Sequence, residues 1–183
     1  MDDLIPEDDP LELLLACHDK VLRFTSLLRR LGAHVGRHGA DHQAAEAAQS
    51  VMRYFDLAAP LHHQDEEEDL FPALRVLGHP QVDLTLDFLA MEHEQLETAW
   101  RDRVRPWLQA IVGRQPVPMP GDVQRFAEHC EQHVAMENNQ LYPHASELPA
   151  RLRAQLARSM VNRRRAQQVP RQATQQAPGN KAA

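Results

Sequence analysis

The sequence predicts an all-α protein, organised as an antiparallel up-down-up-down four-helix bundle with an additional C-terminal helix. Three observations support this fold class. Ala, Leu, Glu, Gln and Arg, which favour helices, dominate the 183 residues, whereas glycines number only seven and aromatic residues make up 5%. Apolar residues recur with the period of an amphipathic helix over long stretches. The segments between these stretches are short, so consecutive helices are expected to lie antiparallel.

The chain divides into four parts by composition. Residues 9–145 form the predicted bundle, and residues 146–165 form the predicted C-terminal helix. Residues 1–8 are an acidic tail. Residues 166–183 are rich in Gln, Pro, Ala and Arg without an apolar period, and we expect them to be disordered.

The first helix has a clear start signal. Asp9 is placed to cap it, Pro10 occupies the first helical position, and Glu12 completes a capping box. Glycines then predict a loop over residues 32–40. The positions predicted to face inward are Leu11, Leu14, Leu15, His18, Val21, Leu22, Thr25, Leu28 and Leu31. His18 is therefore an imidazole in the middle of an apolar stripe.

Three further long helices are predicted. The second starts after Asp41 and contains Pro60, which should kink it or split it into two collinear pieces. The third runs from about residue 81 to residue 112 and carries His93 among apolar neighbours. The fourth starts near Asp122, after a stiff proline-rich connection.

One motif occurs twice in these helices. Both copies read H-x-x-x-E-x-x-x-L-[F/Y]-P, and they begin at His62 and at His133. Residues four apart lie on one face of a helix, so each His and the Glu after it, Glu66 or Glu137, point to one volume. Because proline disfavours helical geometry in the residue before it, the aromatic residue is expected to mark a bend or an end.

Each long helix thus places polar side chains inward at mid-length. A single inward histidine is more often a satisfied core residue than a metal ligand. Several together favour a metal site, since buried imidazoles and carboxylates are costly unless they are paired or bound to a cation. Without a thiolate ligand set, the donor atoms favour iron, manganese or zinc over Cu(I). The residues concerned are His18, His62, Glu66, His93, His133 and Glu137.

With these residues, the chain resembles the hemerythrin-like, or HHE cation-binding, domain family. The resemblance rests on His18 in the first helix, the two motif copies in the second and fourth, and the run Glu92-His93-Glu94 in the third. A single H-x-x-x-E is a weak signal because such pairs are common on solvated helix faces. Two copies with the same ending, in this order with the other two histidines, are specific.

The resemblance implies a non-haem di-iron centre, and the donor set also allows manganese or zinc. By analogy with the family, Glu66 and Glu137 would bridge the two ions. The terminal ligands would be His18 and His62 on one ion, and His93 and His133 on the other.

One ligand of the family is missing from this chain. Oxygen-carrying members have a further histidine one turn before the third-helix ligand, and here that position is Leu89. Either His63 or His129 could take its place. Iron-sensing members have a ligand beside the second-helix histidine, which favours His63. The missing histidine weakens the case for a simple O2 carrier.

Several features favour an ordinary soluble protein. The formal net charge of −6 argues against nucleic-acid binding. No apolar run approaches the roughly 18 residues of a membrane span. The acidic start is unlike a signal peptide, so we expect a cytoplasmic protein. Outside the candidate site, His34, His38 and His42 are expected in a surface loop, and the run Arg163-Arg164-Arg165 at a solvated helix end.

Three functions are compatible with these residues. In the first, the centre binds or senses O2 or NO, or reports the iron level. In the second, the same centre is an enzyme: a peroxidase, an oxidase or a NO-reducing protein. In the third, the protein is a metal-independent helical interaction module that binds an unknown protein partner.

Overall fold

The computed structural model describes residues 9–115 and 117–168 of the chain. Within these ranges the chain is helical and has no strand, so the all-α prediction is confirmed. No described helix is long and apolar enough to cross a membrane. The α-helices are, in chain order, α1 Pro10–His38, α2 His42–Arg53, α3 Ala59–Gln64, α4 Phe71–Arg75, α5 Pro80–Ala99, α6 Arg105–Val112, α7 Gly121–Met136 and α8 Ala150–Gln168.

These segments combine into four long helices and a shorter fifth. The second long helix comprises α2 to α4, the third comprises α5 and α6, and α1 and α7 form the first and the fourth. π-Helical turns continue the long helices at Tyr54–Ala58, Asp65–Leu70, Trp100–Val104 and Glu137–Leu141. A 3₁₀ segment, Tyr142–Glu147, leads to α8. The predicted tail of residues 1–8 and residues 169–183 lie outside the described residues, whereas residues 166–168 are the end of α8.

Each long helix has two neighbours. The first contacts the second through α1 and α2, and the fourth through α1 and α7. The third contacts the fourth through α5 and α7. It contacts the second at both ends: α6 lies against α2, and α5 lies against α4. The end of one therefore meets the start of the other, so the second and third helices run antiparallel.

Two apolar clusters fill the interior on either side of a polar layer. The aromatic cluster includes Phe55, Trp100 and Phe126. The leucine cluster includes Leu86 and Leu141. Every long helix passes through both clusters, and the inward His and Glu residues lie between them along the chain. The burial of the two clusters positions the polar layer at mid-length.

The first helix is longer than predicted. The loop expected over residues 32–40 was wrong, because α1 continues to His38 and also contains His34. Gly32 does not break the helix; it allows a close contact. A Cβ atom at this position would lie 1.9 Å from Sδ of Met119, so the glycine leaves room for the Met119 side chain, which would have to move if a larger residue replaced Gly32.

Prolines account for the π-helical turns. Each turn ends two residues before a proline. In a regular α-helix a proline lacks an N–H donor and its ring clashes with the carbonyl one turn earlier. A wider π turn moves that carbonyl away, so α-helix continues beyond the proline after three of the four turns. The four prolines are Pro60, Pro72, Pro106 and Pro143. Phe71, expected to mark a bend or an end, instead begins α4.

Candidate metal centre

The polar layer consists of the residues that the sequence predicted to face inward. Each is at most 3% exposed in the structure. They come from all four long helices: His18 from α1, His62 and Glu66 from the second helix, His93 from α5, and His133 and Glu137 from the fourth. The prediction that these side chains face inward is confirmed.

The repeated motif has a local structural reason. Glu66 lies in the π-helical turn Asp65–Leu70, and Glu137 begins the turn Glu137–Leu141. Both turns are present because a proline follows them, at Pro72 and Pro143. The L-[F/Y]-P ending therefore determines the backbone from which each glutamate projects, and π turns of this kind are frequent at functional sites.

Glu137 lies between histidines from three different helices. Its Oε2 is 3.0 Å from Nε2 of His18. Its Oε1 is 3.0 Å from Nε2 of His133 and 3.6 Å from Nε2 of His93. The two oxygens of this carboxylate thus face different histidines of the polar layer.

Glu66 occupies the corresponding position on the opposite helix. Its Oε2 lies 3.6 Å from Nε2 of His62 and 3.5 Å from Nε2 of His93. Its Oε1 accepts a hydrogen bond of 2.6 Å from the hydroxyl of Tyr142. The Tyr142 hydroxyl also lies 3.0 Å from Nε2 of His18, and its ring stacks on that histidine with centroids 5.0 Å apart.

Three buried carboxylate oxygens in this layer lack a hydrogen-bond donor. They are Oε2 of Glu66 and both Oε1 and Oε2 of Glu137. Buried polar atoms are nearly always satisfied, and a carboxylate without a partner in a buried layer is especially costly. Imidazole nitrogens that converge on such carboxylate oxygens fit a cation well.

Two groups of side chains in the polar layer could each hold a metal ion. His18, His62, Glu66 and Glu137 offer donor atoms within 4.8 Å of one another, and so do His63, His93 and His133. The ring of His63 stacks on that of His93 with centroids 3.9 Å apart. His129 belongs to neither group, because its Nε2 is 2.8 Å from Oε1 of Glu92. Of the two replacements considered for the missing histidine, the structure brings only His63 to the centre.

Acceptor oxygens orient most of the imidazoles. In three of them Nδ1–H donates to an oxygen of a neighbouring helix, so that Nε2 faces the carboxylates and is the atom that could bind a metal. The pairs are His18 with Oδ1 of Asn138 at 2.8 Å, His93 with Oε1 of Glu67 at 2.6 Å, and His133 with Oε2 of Glu92 at 3.0 Å. Sequence reasoning missed Asn138, Glu67, Glu92 and Tyr142.

His62 is the exception among these histidines. Its Nδ1 is buried and has no hydrogen-bond partner. Its other nitrogen, Nε2, faces Glu66. The same side chain lines a cavity in the aromatic cluster that also reaches His63 and His133. Trp100 lines this cavity as well.

Burial largely determines the protonation of the histidines. It lowers the pKa of His62 well below its usual value and that of His63 to about 4. Burial also lowers the pKa of His93, but contacts with Glu137 and Glu67 outweigh it and raise the pKa to about 8. At neutral pH His62 and His63 are therefore neutral, the form in which imidazole binds a metal.

The two carboxylates are shifted in opposite directions. Burial, followed by repulsion from Glu137, raises the pKa of Glu66 well above its usual value. Burial also opposes the charge of Glu137, but its contacts with His133, His18 and His93 lower the pKa well below the usual value. A cation between the two carboxylates would remove their mutual repulsion.

The C-terminal helix α8 contacts the acidic residues next to Glu66. Arg163 and Arg164 of α8 both donate to Asp65, whose side chain has no exposed surface. Arg163 also donates to Oδ2 of Asp69 at 2.8 Å. The expectation that these arginines form a solvated helix end was therefore wrong. They neutralise a buried acid that precedes Glu66 in the chain.

A third group of possible ligands lies at the surface. Nε2 of His79 is 2.8 Å from Oε2 of Glu147, and Nδ1 of His144 is 2.6 Å from Oε1. The three side chains are between about one third and one half exposed. This group is separate from the buried layer.

The helical fold and the buried His and Glu layer define a class of protein, an all-α domain with a site suited to metal cations. The sequence matches the family described as "Hemerythrin HHE cation binding domain" over residues 9–145, and the chain belongs to this family. It is also similar to a protein of Haemophilus influenzae (strain ATCC 51907 / DSM 11121 / KW20 / Rd) that is described as uncharacterized. The two are 34% identical over 131 residues, which cover 71% of this chain and 75% of the relative.

Proposed function

We propose that the protein holds a pair of iron ions in the polar layer and binds or senses O2 or NO there. Glu66 and Glu137 would bridge the ions. His18 and His62 would complete one ion's ligands, and His63, His93 and His133 the other's. We further propose that the four long helices form an antiparallel up-down-up-down bundle around this centre, as their mutual contacts support.

The observation that carries the proposal is the set of unpartnered carboxylate oxygens. Three oxygens of Glu66 and Glu137 lack a hydrogen-bond donor, and three of the neighbouring imidazoles have an acceptor at Nδ1, on the far side of the ring. Such an arrangement is destabilising without a cation and favourable with one. Nitrogen and carboxylate oxygen donors suit ferrous and ferric iron, and manganese and zinc as well.

His63 is the proposed substitute for the histidine missing at Leu89. Its ring stacks on that of His93, with centroids 3.9 Å apart. With His93 and His133 it forms one of the two groups of side chains that could hold a metal ion. Its Nδ1 is buried without a hydrogen-bond partner and lies 3.6 Å from Oε1 of Glu97. A ligand on this side would face the cavity, where a small molecule can reach it.

The residues around the centre have separate roles in this proposal. A ferrous pair would supply electrons to a bound diatomic molecule. The Tyr142 hydroxyl, which donates to Glu66, holds one carboxylate oxygen and so fixes the direction of the other. The apolar clusters on both sides exclude bulk water from the layer.

An anaerobic titration with Fe(II) tests the proposal. We expect saturation near two iron ions per chain and new near-ultraviolet or visible absorption when O2 or NO is added. Glu137→Ala should abolish both. His42→Ala is the matched control, because His42 and Glu46 form an exposed pair with the same spacing as the motif and should not affect binding. Failure to bind iron, together with equal thermal stability with and without chelator, would instead favour the interaction module.

A further inference from the structure

Three side chains at the surface form a group that the buried centre does not use. They are His79, His144 and Glu147, and one donor atom from each lies within 4.8 Å of the others. Ala145 and Leu148, which flank two of them in the chain, are buried in the leucine cluster. Within residues 9–115 and 117–168, no other group of three possible ligands lies outside the buried layer.

The 3₁₀ segment aligns two of the three side chains. Residues three apart in a 3₁₀ helix lie directly above one another. His144 and Glu147 have this spacing, and Nδ1 of His144 is 2.6 Å from Oε1 of Glu147. The backbone beside them is held by another side chain, because Arg153 donates to the carbonyl oxygens of Ser146 and Leu148, at 3.1 and 3.3 Å. The two side chains therefore project from a fixed backbone.

The third side chain comes from a distant part of the sequence. Gly78, whose φ of +70° favours glycine, ends the turn after α4, and His79 is the residue before α5. Nε2 of His79 is 2.8 Å from Oε2 of Glu147, across 68 residues of sequence. The rings of His79 and His144 have centroids 5.6 Å apart. Two imidazoles from different segments thus face the two oxygens of one carboxylate.

This group differs from an ordinary surface pair. Nδ1 of His42 is 3.5 Å from Oε2 of Glu46, and these two side chains are 72% and 69% exposed. The side chains of His79, His144 and Glu147 are 45%, 35% and 43% exposed. Exposed pairs between charged groups stabilise a protein little. Three donor atoms that converge in a partly enclosed position have instead the arrangement of a metal site.

The donor atoms determine the class of ion. Two imidazole nitrogens and one carboxylate are the protein ligands of many catalytic zinc sites and of mononuclear ferrous sites, whereas Ca²⁺ and Mg²⁺ prefer oxygen alone. At a given site of this kind Zn²⁺ binds more tightly than Fe²⁺. Tetrahedral bonds of about 2.0–2.1 Å place neighbouring ligand atoms about 3.3 Å apart. Small rotations of these part-exposed side chains would open the present 2.6 and 2.8 Å to that separation.

We propose that His79, His144 and Glu147 form a separate surface site for a divalent transition-metal cation, and that Zn²⁺ fits it best. The ligand atoms are Nε2 of His79, Nδ1 of His144 and the carboxylate of Glu147, and water takes the fourth tetrahedral position. The ion joins the turn before α5 to the segment after the fourth long helix. Because it binds only the folded arrangement and closes a long loop, it stabilises the folded protein. The inference goes beyond the proposed function, since no ligand is shared with the buried layer.

Zinc stoichiometry tests this inference. The metal-free protein is titrated with ZnCl2 in competition with a chromophoric chelator of known affinity, beside the variants His144→Ala and Glu147→Gln. The result is the difference between the proteins, so zinc that binds in the buried layer cancels. We expect each variant to bind one ion fewer per chain, or to bind that ion more weakly by about tenfold or more, since loss of even a supporting contact costs about 10–100-fold.

A matched control uses another histidine at the surface. His42 and Glu46 form a pair that belongs to no group of three possible ligands among the described residues. His42→Ala should therefore bind as much zinc as the unchanged protein. Zinc should also raise the melting temperature of the unchanged protein more than that of His144→Ala. Circular dichroism of each metal-free variant records that the helices are intact.

The outcomes separate this inference from the proposed function. Equal zinc binding by the unchanged protein and both surface variants would overturn it. An equal loss in His42→Ala would also overturn it, because zinc would then bind exposed histidines in general. Glu137→Ala should leave the loss caused by His144→Ala unchanged; if the two substitutions remove the same ion, the surface group is not a separate site. Absence of iron uptake, with the surface zinc still bound, would count against the proposed function alone.

Discussion

The two copies of the motif form two halves of the centre that match in position and differ in chemistry. In each copy the residue after the glutamate accepts a hydrogen bond from a histidine of another helix. Glu67 accepts from His93, and Asn138 accepts from His18. The first acceptor is a carboxylate and the second is an amide. We call these the His93 half and the His18 half.

The stacked aromatic residues differ in the same way. Phe71 of the first copy stacks on His93, with ring centroids 5.9 Å apart. Tyr142 of the second copy stacks on His18 at 5.0 Å. Only the tyrosine has a hydroxyl, and it donates to Glu66. The His18 half thus holds a carboxylate by a neutral donor, where the His93 half has only an apolar contact.

The residue before each histidine completes the comparison. Glu92 precedes His93 and accepts from Nδ1 of His133. Cys17 precedes His18, and Nδ1 of His62 has no partner. Two carboxylates therefore support the imidazoles of the His93 half, and none supports those of the His18 half. Because a carboxylate acceptor makes an imidazole a stronger ligand, the His93 half should bind its ion more tightly.

The largest expected effect concerns the residue before each glutamate. In the first copy it is the buried Asp65, paired with Arg163 and Arg164, and in the second it is Met136. Burial raises the pKa of Asp65 although the two arginines oppose it. Removing both arginines leaves a buried acid without a cation, which destabilises a protein by about 3–5 kcal/mol.

Urea unfolding of the double variant Arg163→Ala and Arg164→Ala measures this loss. The control is Arg158→Ala, an exposed position on the same helix. Adding Asp65→Asn to the double variant should recover part of the stability, because the uncompensated charge is then gone. If the double variant is as stable as the unchanged protein, the two arginines of α8 do not stabilise the buried charge of Asp65.

The second prediction tests the carboxylates of the His93 half. Glu92→Gln keeps an oxygen acceptor for His133 but removes the charge, and changes of this kind typically cost about 10–100-fold in metal affinity. We expect the affinity for one of the two ions to fall and the affinity for the other to be nearly unchanged. Cys17→Ser, at the corresponding position of the first helix, should change neither. Competition with a chelator of known affinity measures both ions.

The third prediction concerns the hydroxyl of Tyr142. Tyr142→Phe makes the His18 half resemble the other half and leaves Oε1 of Glu66 without a donor in a buried layer. An unsatisfied buried acceptor costs about 1–3 kcal/mol, which urea unfolding of the metal-free protein measures. The matched change in the other half, Phe71→Tyr, adds a hydroxyl without removing a hydrogen bond and should not cause this loss. Unchanged stability in Tyr142→Phe would mean that this hydrogen bond is replaced by water.

The sequence predicted the buried His and Glu residues better than it predicted the residues that hydrogen-bond to them from neighbouring helices. His18, His93 and the motif residues lie on helical stripes, and helical spacing alone determines that they face inward. Even so, Leu15 and Leu22 of α1 are 43% and 39% exposed, because the stripe chosen was too wide. Residues such as Leu13 and Phe24 are buried in their place.

The supporting contacts could not be predicted because they join different helices. Glu67 resembles any residue of an acidic, solvated run, and its side chain is 44% exposed. Only the rotation of the second helix against α5 brings it to His93. The π-helical turns were also missed, although their signal, a proline inside an otherwise continuous helical pattern, was present at all four positions.

The smallest expected effect is the pH dependence of the metal-free protein. The pKa of His93 rises from 6.5 to about 8 in the folded protein. This group's contribution is therefore fully present below pH 6.5 and lost as the pH rises through about 8. The difference is on the order of 2 kcal/mol. The pKa of His63 falls to about 4, so its effect has the opposite sign and stability rises between about pH 4 and 6.5. These two histidines together therefore contribute most to stability near pH 6.5.

Glu67→Asn converts the His93 half to the chemistry of the other half and so tests the origin of this dependence. Without the Glu67 carboxylate, the pKa of His93 should be lower, and the loss of stability between pH 6.5 and 8 should shrink. Asn138→Asp makes the reciprocal change in the His18 half. Urea unfolding at pH 5, 6.5 and 8 measures all three proteins. A slope between pH 6.5 and 8 that is the same in Glu67→Asn would mean that Glu137 alone raises the pKa of His93, and that the two halves are electrostatically equivalent.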